Sequence, residues 1–433
     1  MKPRLVYRGL VYDEAGLRKA SIVVGSNGYV QEVGEPWTSF SAEVVLDHRE
    51  DRHIIAFPGF IDMHVHLRDF NEAYKETVET GTRAAARGGI TLIGDMPNTD
   101  PRINSYKVLL ERKKLLSSKS LVDYYVYIYV PERGDEVEAM VSDPDVRGMK
   151  LYPDGMRQPY LDSVLKVLAE QGKIVVVHSE NPFMIDQLKT SVSEHRCYRS
   201  VEVELWGIRL VGDLISTLDL DRLRVHVTHV TNLYTYLEAK RYGFSTDTCP
   251  HYLLLDSDHY HMDTCYMKVV PPIRGSWHRT TLLELFSAGY IDILSSDHAP
   301  HGLQEKTCCP KTCPTGINGI EIMGPLMGDL YVKGVISLSR IYRALSLNPA
   351  KVLGLKRYGY FRKGYRGNIT VIDLSGRTVV DPEKMAVKSK YSVYRGFVFS
   401  SSVKYTVVGG RVVYPEELSG ERTARGVGEV EKG

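Results

Sequence analysis

The stretch Phe60-Ile-Asp-Met-His-Val-His-Leu-Arg68 runs apolar up to two histidines and turns charged at Arg68 and Asp69. A buried strand that surfaces at the mouth of a site has this pattern. Successive side chains on a strand alternate between faces, so His64 and His66 share one face and can close on a single metal ion. A strand equipped in this way places the expected chemistry at strand ends.

Eight stretches read as strands: Gly59 to His66, Ile90 to Met96, Val122 to Val130, Val146 to Tyr152, Ile174 to His178, Arg224 to Val230, Phe244 to Cys249 and Ile291 to Asp297. Helical patterns lie between most of them, at Lys75 to Arg87, Tyr106 to Leu116, Leu161 to Gln171, Val201 to Leu218 and Leu233 to Tyr242. Eight β/α units predict an α/β fold with a closed (β/α)8 barrel of the TIM type over residues 58–363; a doubly wound sheet would have difficulty using so many strands. Short alternating β segments at both ends predict a small β-sandwich domain built from residues 1–57 and 364–417. Residues 418–433 are polar, glycine-containing and aperiodic, and are expected to form a disordered tail.

At 433 residues the chain accommodates one barrel of about 250 to 300 residues with additions. Its 55 basic and 53 acidic residues, a net charge of +2, are well mixed, so no basic stripe invites nucleic acid. No run of roughly 18 apolar residues suggests a membrane span, and the N-terminus lacks the apolar stretch of a secretory signal. A cytoplasmic protein with a small-molecule partner is expected. Six cysteines are too few for a disulfide scaffold. Cys308, Cys309 and Cys313 crowd into one loop, where a Cys309–Cys313 disulfide, a metal held with His301, and free thiols all stay open.

Active sites of such barrels lie at the carboxyl ends of the strands. The occupants there are His64 and His66 on the first strand, Lys150 on the fourth, His178 on the fifth, His229 on the sixth and Asp297 on the eighth. Each has a plain reading alone: a core histidine, a lysine whose stem lies along the surface, an aspartate capping a helix. Their coincidence at one mouth favours a site. His226 falls on the face opposite His229 and is left out. Four neutral imidazoles suit zinc, but a pair of ions needs a bridging anion. A carbamylated lysine would offer two oxygens, which would explain Lys150 among ligands.

The stretches His64-Val-His-Leu-Arg-Asp69, Asp95-Met-Pro-Asn-Thr99, Gly148-Met-Lys-Leu-Tyr152, His178-Ser-Glu180, Thr228-His-Val230, Cys249-Pro-His-Tyr-Leu253 and Ser296-Asp-His-Ala-Pro-His301 resemble the type I dihydroorotases of the amidohydrolase superfamily, over most of residues 1–415. The resemblance implies reversible cyclisation of N-carbamoyl-L-aspartate to L-dihydroorotate with loss of water, in pyrimidine synthesis. It implies two Zn2+ per subunit bridged by hydroxide and by Lys150 as N6-carboxylysine, His64, His66 and Asp297 holding one ion, His178 and His229 the other. Asp297 would be general base and then general acid. Arg68, Asn98 and His301 would grip the substrate carboxylate. Without the family, Arg68 also fits a surface ion pair and Asn98 a turn.

Two departures stand out. Valine occupies position 270, where family members commonly carry an asparagine that contacts substrate, and the lost contact is expected to cost about 1 kcal/mol. Arg274 is a candidate to compensate. Phe70 stands where proline is usual. The alternatives are a related cyclic-amide hydrolase (hydantoinase, dihydropyrimidinase or allantoinase) and a silent homologue acting as a scaffold for a partner such as aspartate transcarbamoylase. Homo-oligomerisation stays open.

Overall fold

The structure, a computed structural model, describes residues 2–38, 41–191, 194–259, 265–307, 312–419 and 422–432. Cys308 and Cys309 lie outside the described residues; Cys313 is buried. Among the described residues, no helix is long and apolar enough to cross a membrane.

All eight expected barrel strands form. Phe60–Val65, Ile90–Asp95, Asp123–Ile128, Val146–Leu151, Ile174–Val177, Arg224–Val227, Ser245–Thr248 and Ile293–Leu294 lie side by side in sequence order, each parallel to the next. The ring closes through a bridge between Val65 and His298, with the His66 N–H donating to the His298 carbonyl at 2.8 Å. Helices cover the strands outside and side chains fill the barrel, so most strand residues are buried on both faces, as expected for a parallel sheet. The first strand slips register between Asp62 and Val65, where it delivers His64 and His66.

Both chain ends build one further sheet. Its path runs Arg411–Tyr414, Ser402–Val408, Ile369–Asp373, Ile54–Pro58, Leu5–Asp13, Gly16–Val24 and Val30–Gly34, with Val44–Asp47 parallel to Leu5–Asp13. The antiparallel pairing of Ile54–Pro58 with Ile369–Asp373 stitches the ends together. Buried Asp123, opening the third barrel strand, ties this region down: it accepts two bonds from Arg366 (2.9 Å each), one from Asn368 Nδ2 (2.9 Å) and one from the Arg425 N–H (2.8 Å).

The end of the chain differs from the expected disordered tail. Val427–Lys432 is a short helix whose Val427 and Val430 are wholly buried, in one cluster with Ile61 and Tyr125 at the barrel. The Tyr29 hydroxyl donates to the Val430 carbonyl. Two valines three residues apart are too short a signal to read in a polar segment, and their burial depends on a barrel assembled elsewhere.

Candidate metal centre

The strand-end residues come together around a cavity of about 340 Å³, with His64, His66, Lys150, His178, His229, Asp297, Arg68 and Asn98 in its wall. Three of the four histidines sit in hydrogen bonds that orient them, while His229 Nδ1 is buried without a partner. His64 Nδ1 donates to Thr228 Oγ1 (2.7 Å), whose hydroxyl donates to the Asp247 carboxylate (3.1 Å). His66 Nδ1 donates to Asn98 Oδ1 (2.6 Å). His178 Nε2 donates to Glu180 Oε2 (2.5 Å). An imidazole that gives its proton to one partner presents a lone pair on the other nitrogen.

Those lone pairs converge. His64 Nε2 and His66 Nε2 are 3.2 Å apart and lie 3.1 and 3.2 Å from Asp297 Oδ1. Three acceptors this close, with no proton among them, repel one another unless a cation lies between. His178 Nδ1 faces His229 Nε2 at 3.1 Å. His229 adopts φ 46°, and its backbone N–H is held by Asp247. Lys150 is buried, and its Nζ has no hydrogen-bond partner, an orphan that calls for an anionic form or a ligand.

Electrostatics agree with a ligand set. Burial pushes all four imidazoles below the ordinary histidine value, and the Lys150 charge adds to this at His64, His178 and His229. They are neutral and ready to ligate. Burial lowers the Lys150 pKa from 10.5 to about 7, so an uncharged amine is available near neutrality.

Beside the ligands, Arg68 stands with its Nε donating to the Pro300 carbonyl (3.1 Å) and its guanidinium 3.3 Å from His301 Nε2. His301 also reaches the Thr315 carbonyl at 3.0 Å; it sits behind Arg68. Burial and the Arg68 charge lower its pKa to about 2, so it is neutral. Arg68, Asp69 and Phe70 all have positive φ (51°, 60° and 47°), which accounts for Phe70: proline is locked near −65°. Wholly buried Arg112, which the sequence reading missed, pins this turn. It pairs with both oxygens of Asp95 (2.6 and 3.0 Å) and donates to the Arg68 carbonyl (2.8 Å). Breaking a buried pair leaves an unpaired charge, so Arg112→Met is expected to cost about 3 to 5 kcal/mol of stability and to raise KM as Arg68 loosens. Denaturant unfolding with steady-state kinetics checks this; an unchanged unfolding midpoint would rule out the pinning role.

Val270 does line the cavity. Arg274 does not compensate for it there: its guanidinium is taken by buried Glu204, with Thr231 Oγ1 at 3.4 Å. Arg199, also unnoticed in sequence, reaches the cavity wall and pairs with Glu180. His226 is a core histidine, bonded to Ser245 Oγ and Asp247 Oδ2 at 2.9 Å each. Thr228 and Glu180 stand inside the motifs read from sequence, next to or two residues from a ligand, and that adjacency was the available signal for their role.

Buried imidazoles, a carboxylate and a lysine of depressed pKa at the carboxyl mouth of a (β/α)8 barrel define a metal-dependent hydrolase, here one of cyclic amides. The Amidohydrolase family model matches residues 55–413, and the chain belongs to this family. Among its relatives are the dihydroorotases of Sulfurisphaera tokodaii, 34% identical over 85% of this chain and 86% of that protein, and of Bacillus cereus, 30% identical over 95% and 98%. Among solved structures, the L-hydantoinase (dihydropyrimidinase) of Arthrobacter aurescens superposes with a TM-score of 0.85 at 26% identity, covering 95% of this chain and 96% of that one. A D-hydantoinase from Thermus sp. shares the fold, with a TM-score of 0.83 at 22% identity over 97% and 98%.

Proposed function

We propose that this enzyme is a dihydroorotase that interconverts N-carbamoyl-L-aspartate and L-dihydroorotate in pyrimidine synthesis. The observation that carries the reading is Arg68, which lines the cavity together with Asn98, so that a substrate carboxylate can meet a planar fork of donors. The sequence relatives named dihydroorotases support it. Asn98 gives its oxygen to His66 and keeps its NH2 for the same carboxylate, while the Pro300 carbonyl holds Arg68 in place and His301 lies against its guanidinium.

His64, His66 and Asp297 would hold one divalent ion, His178 and His229 a second, and Lys150 would join them as a carbamate, formed when its uncharged amine adds carbon dioxide and sheds a proton. Bound there, a pair of zinc ions would polarise the ring amide carbonyl and lower the pKa of water. Asp297 takes the proton of the attacking water and passes it to the departing ring nitrogen; in the cyclising direction the transfers reverse. Thr228, Asn98 and Glu180 keep His64, His66 and His178 in the tautomers that ligate.

The second reading, a hydantoinase-like enzyme, draws on Val270 in the cavity wall and on the hydantoinase neighbours. Ring opening of L-dihydroorotate, dihydrouracil, hydantoin and allantoin, compared on zinc-supplemented protein, separates the two. Turnover of dihydroorotate alone is expected; turnover of an uncharged ring instead would replace the proposal. Arg68→Ala is expected to retain both metals by mass spectrometry and to raise KM for dihydroorotate by on the order of 10- to 100-fold, the loss of a charge-assisted contact. An unchanged KM would mean that Arg68 does not meet the carboxylate.

A further inference from the structure

Asp297 also belongs to a second group of ligand atoms, whose other two members the hydrolytic centre does not use. Cys249, His251 and Asp297 each offer one donor, all within 4.8 Å of one another and all buried. Cys249 follows the seventh barrel strand and stands at the N-cap of the helix Pro250–Leu254, where its side chain makes no capping bond. His251 is wholly buried, yet neither ring nitrogen has a hydrogen-bond partner. A neutral imidazole carries one N–H and one lone pair, and leaving both unmet inside a protein is rare without an occupant. The Tyr394 hydroxyl is likewise buried without a partner, and Cys249 and Asp297 both act on it electrostatically.

We propose that Cys249, His251 and Asp297 form a third cation position, selective for soft divalent ions such as zinc or cadmium, whose occupation inhibits the enzyme by engaging Asp297. This rests on the reading of Asp297 as proton carrier. A thiolate, an imidazole and a carboxylate suit zinc-like ions, with bonds of about 2.3 Å to sulfur and about 2.0 to 2.2 Å to nitrogen and oxygen. Donors around one such ion stand roughly 3 to 4 Å apart by that geometry, close to what the chain already provides. Binding is balanced by proton release: the Cys249 thiol gives up its proton to solvent as the sulfur–metal bond forms, while His251 and Asp297 ligate in the forms they already have. Asp297 belongs to both this group and the one with His64 and His66. A carboxylate tied to an ion on this side loses the freedom to collect and return a proton.

The sulfur makes the position separable by experiment, because Cys249 is the sole cysteine in either ligand group among the described residues. Metal-free protein in bicarbonate is loaded with two equivalents of cadmium and then titrated further, following the ultraviolet cadmium–thiolate band and ring-opening activity together. The band is expected to grow with the third equivalent and saturate at one per chain, while activity falls by on the order of a hundredfold, the scale of losing an acid–base group. Cys249→Ser and Cys249→Ala are expected to bind two ions, keep their activity and show neither band nor inhibition. A third equivalent that produces no band in the unaltered protein would overturn the proposal and assign the space to water. A band that persists in Cys249→Ser would overturn it as well, placing the thiolate elsewhere. Failure of the functional reading shows up separately, as fewer than two ions bound before the third or as absent dihydroorotate turnover at two.

Discussion

Lys150→Met removes ring-opening activity, lowers the bound metal below two ions per chain and makes the metal-free protein more stable than its parent at pH 6. The three results share one cause. Lys150 Nζ is buried with no partner, and burial brings its pKa from 10.5 to about 7, which corresponds to on the order of 5 kcal/mol against the ammonium form. In the metal-free chain the native state releases this proton near pH 7, whereas the unfolded chain keeps it to about pH 10.5. Between those values the unfolded state binds more protons, so native stability rises with pH across the window and the full penalty applies below about pH 7. Methionine fills similar space without a charge. Its advantage is therefore largest at pH 6 and shrinks toward pH 10. Chelator-treated protein unfolded in denaturant at several pH values gives the comparison directly. A constant difference would mean that Lys150 is not buried as an amine. Activity and metal content test the other half: a Met variant with two ions and full turnover would remove Lys150 from the centre.

Asp297→Asn is expected to lower kcat by about 10² to 10⁴, the range for losing a positioned acid–base group, while the melting temperature of the metal-free protein changes little. The carboxylate oxygen lies 3.1 and 3.2 Å from the two facing imidazole nitrogens. An asparagine oxygen can occupy the same place and preserve the shape of the site. It cannot accept a proton at neutral pH. Turnover within tenfold of the parent, at equal metal content, would show that another group moves the proton.

Much of this centre was legible along the chain because its signals are local. Alternation with period two puts His64 and His66 on one face whatever the rest of the fold does, and it sets His226 against His229. The helices Tyr106–Lys119 and Leu233–Arg241 begin where their patterns begin and end within a few residues of them. What escaped reading are contacts between distant segments. Thr228 is 164 residues from the His64 it orients, and Arg112 is 44 from the Arg68 carbonyl it holds. His251 sat in a motif that matched the family without a role; only its unmet nitrogens single it out. Arg274, a candidate for the substrate by position, is claimed by Glu204.

Which side chains stand at the ends of eight strands, and which of them share a face, is written along the chain, because strand geometry follows from covalent structure and is the same in any fold. Which nitrogen an imidazole turns toward the centre and whether Lys150 keeps its proton are set by folding. Both depend on partners and on exclusion of water, and neither exists until barrel closure between Val65 and His298 brings the strands into one low-dielectric site.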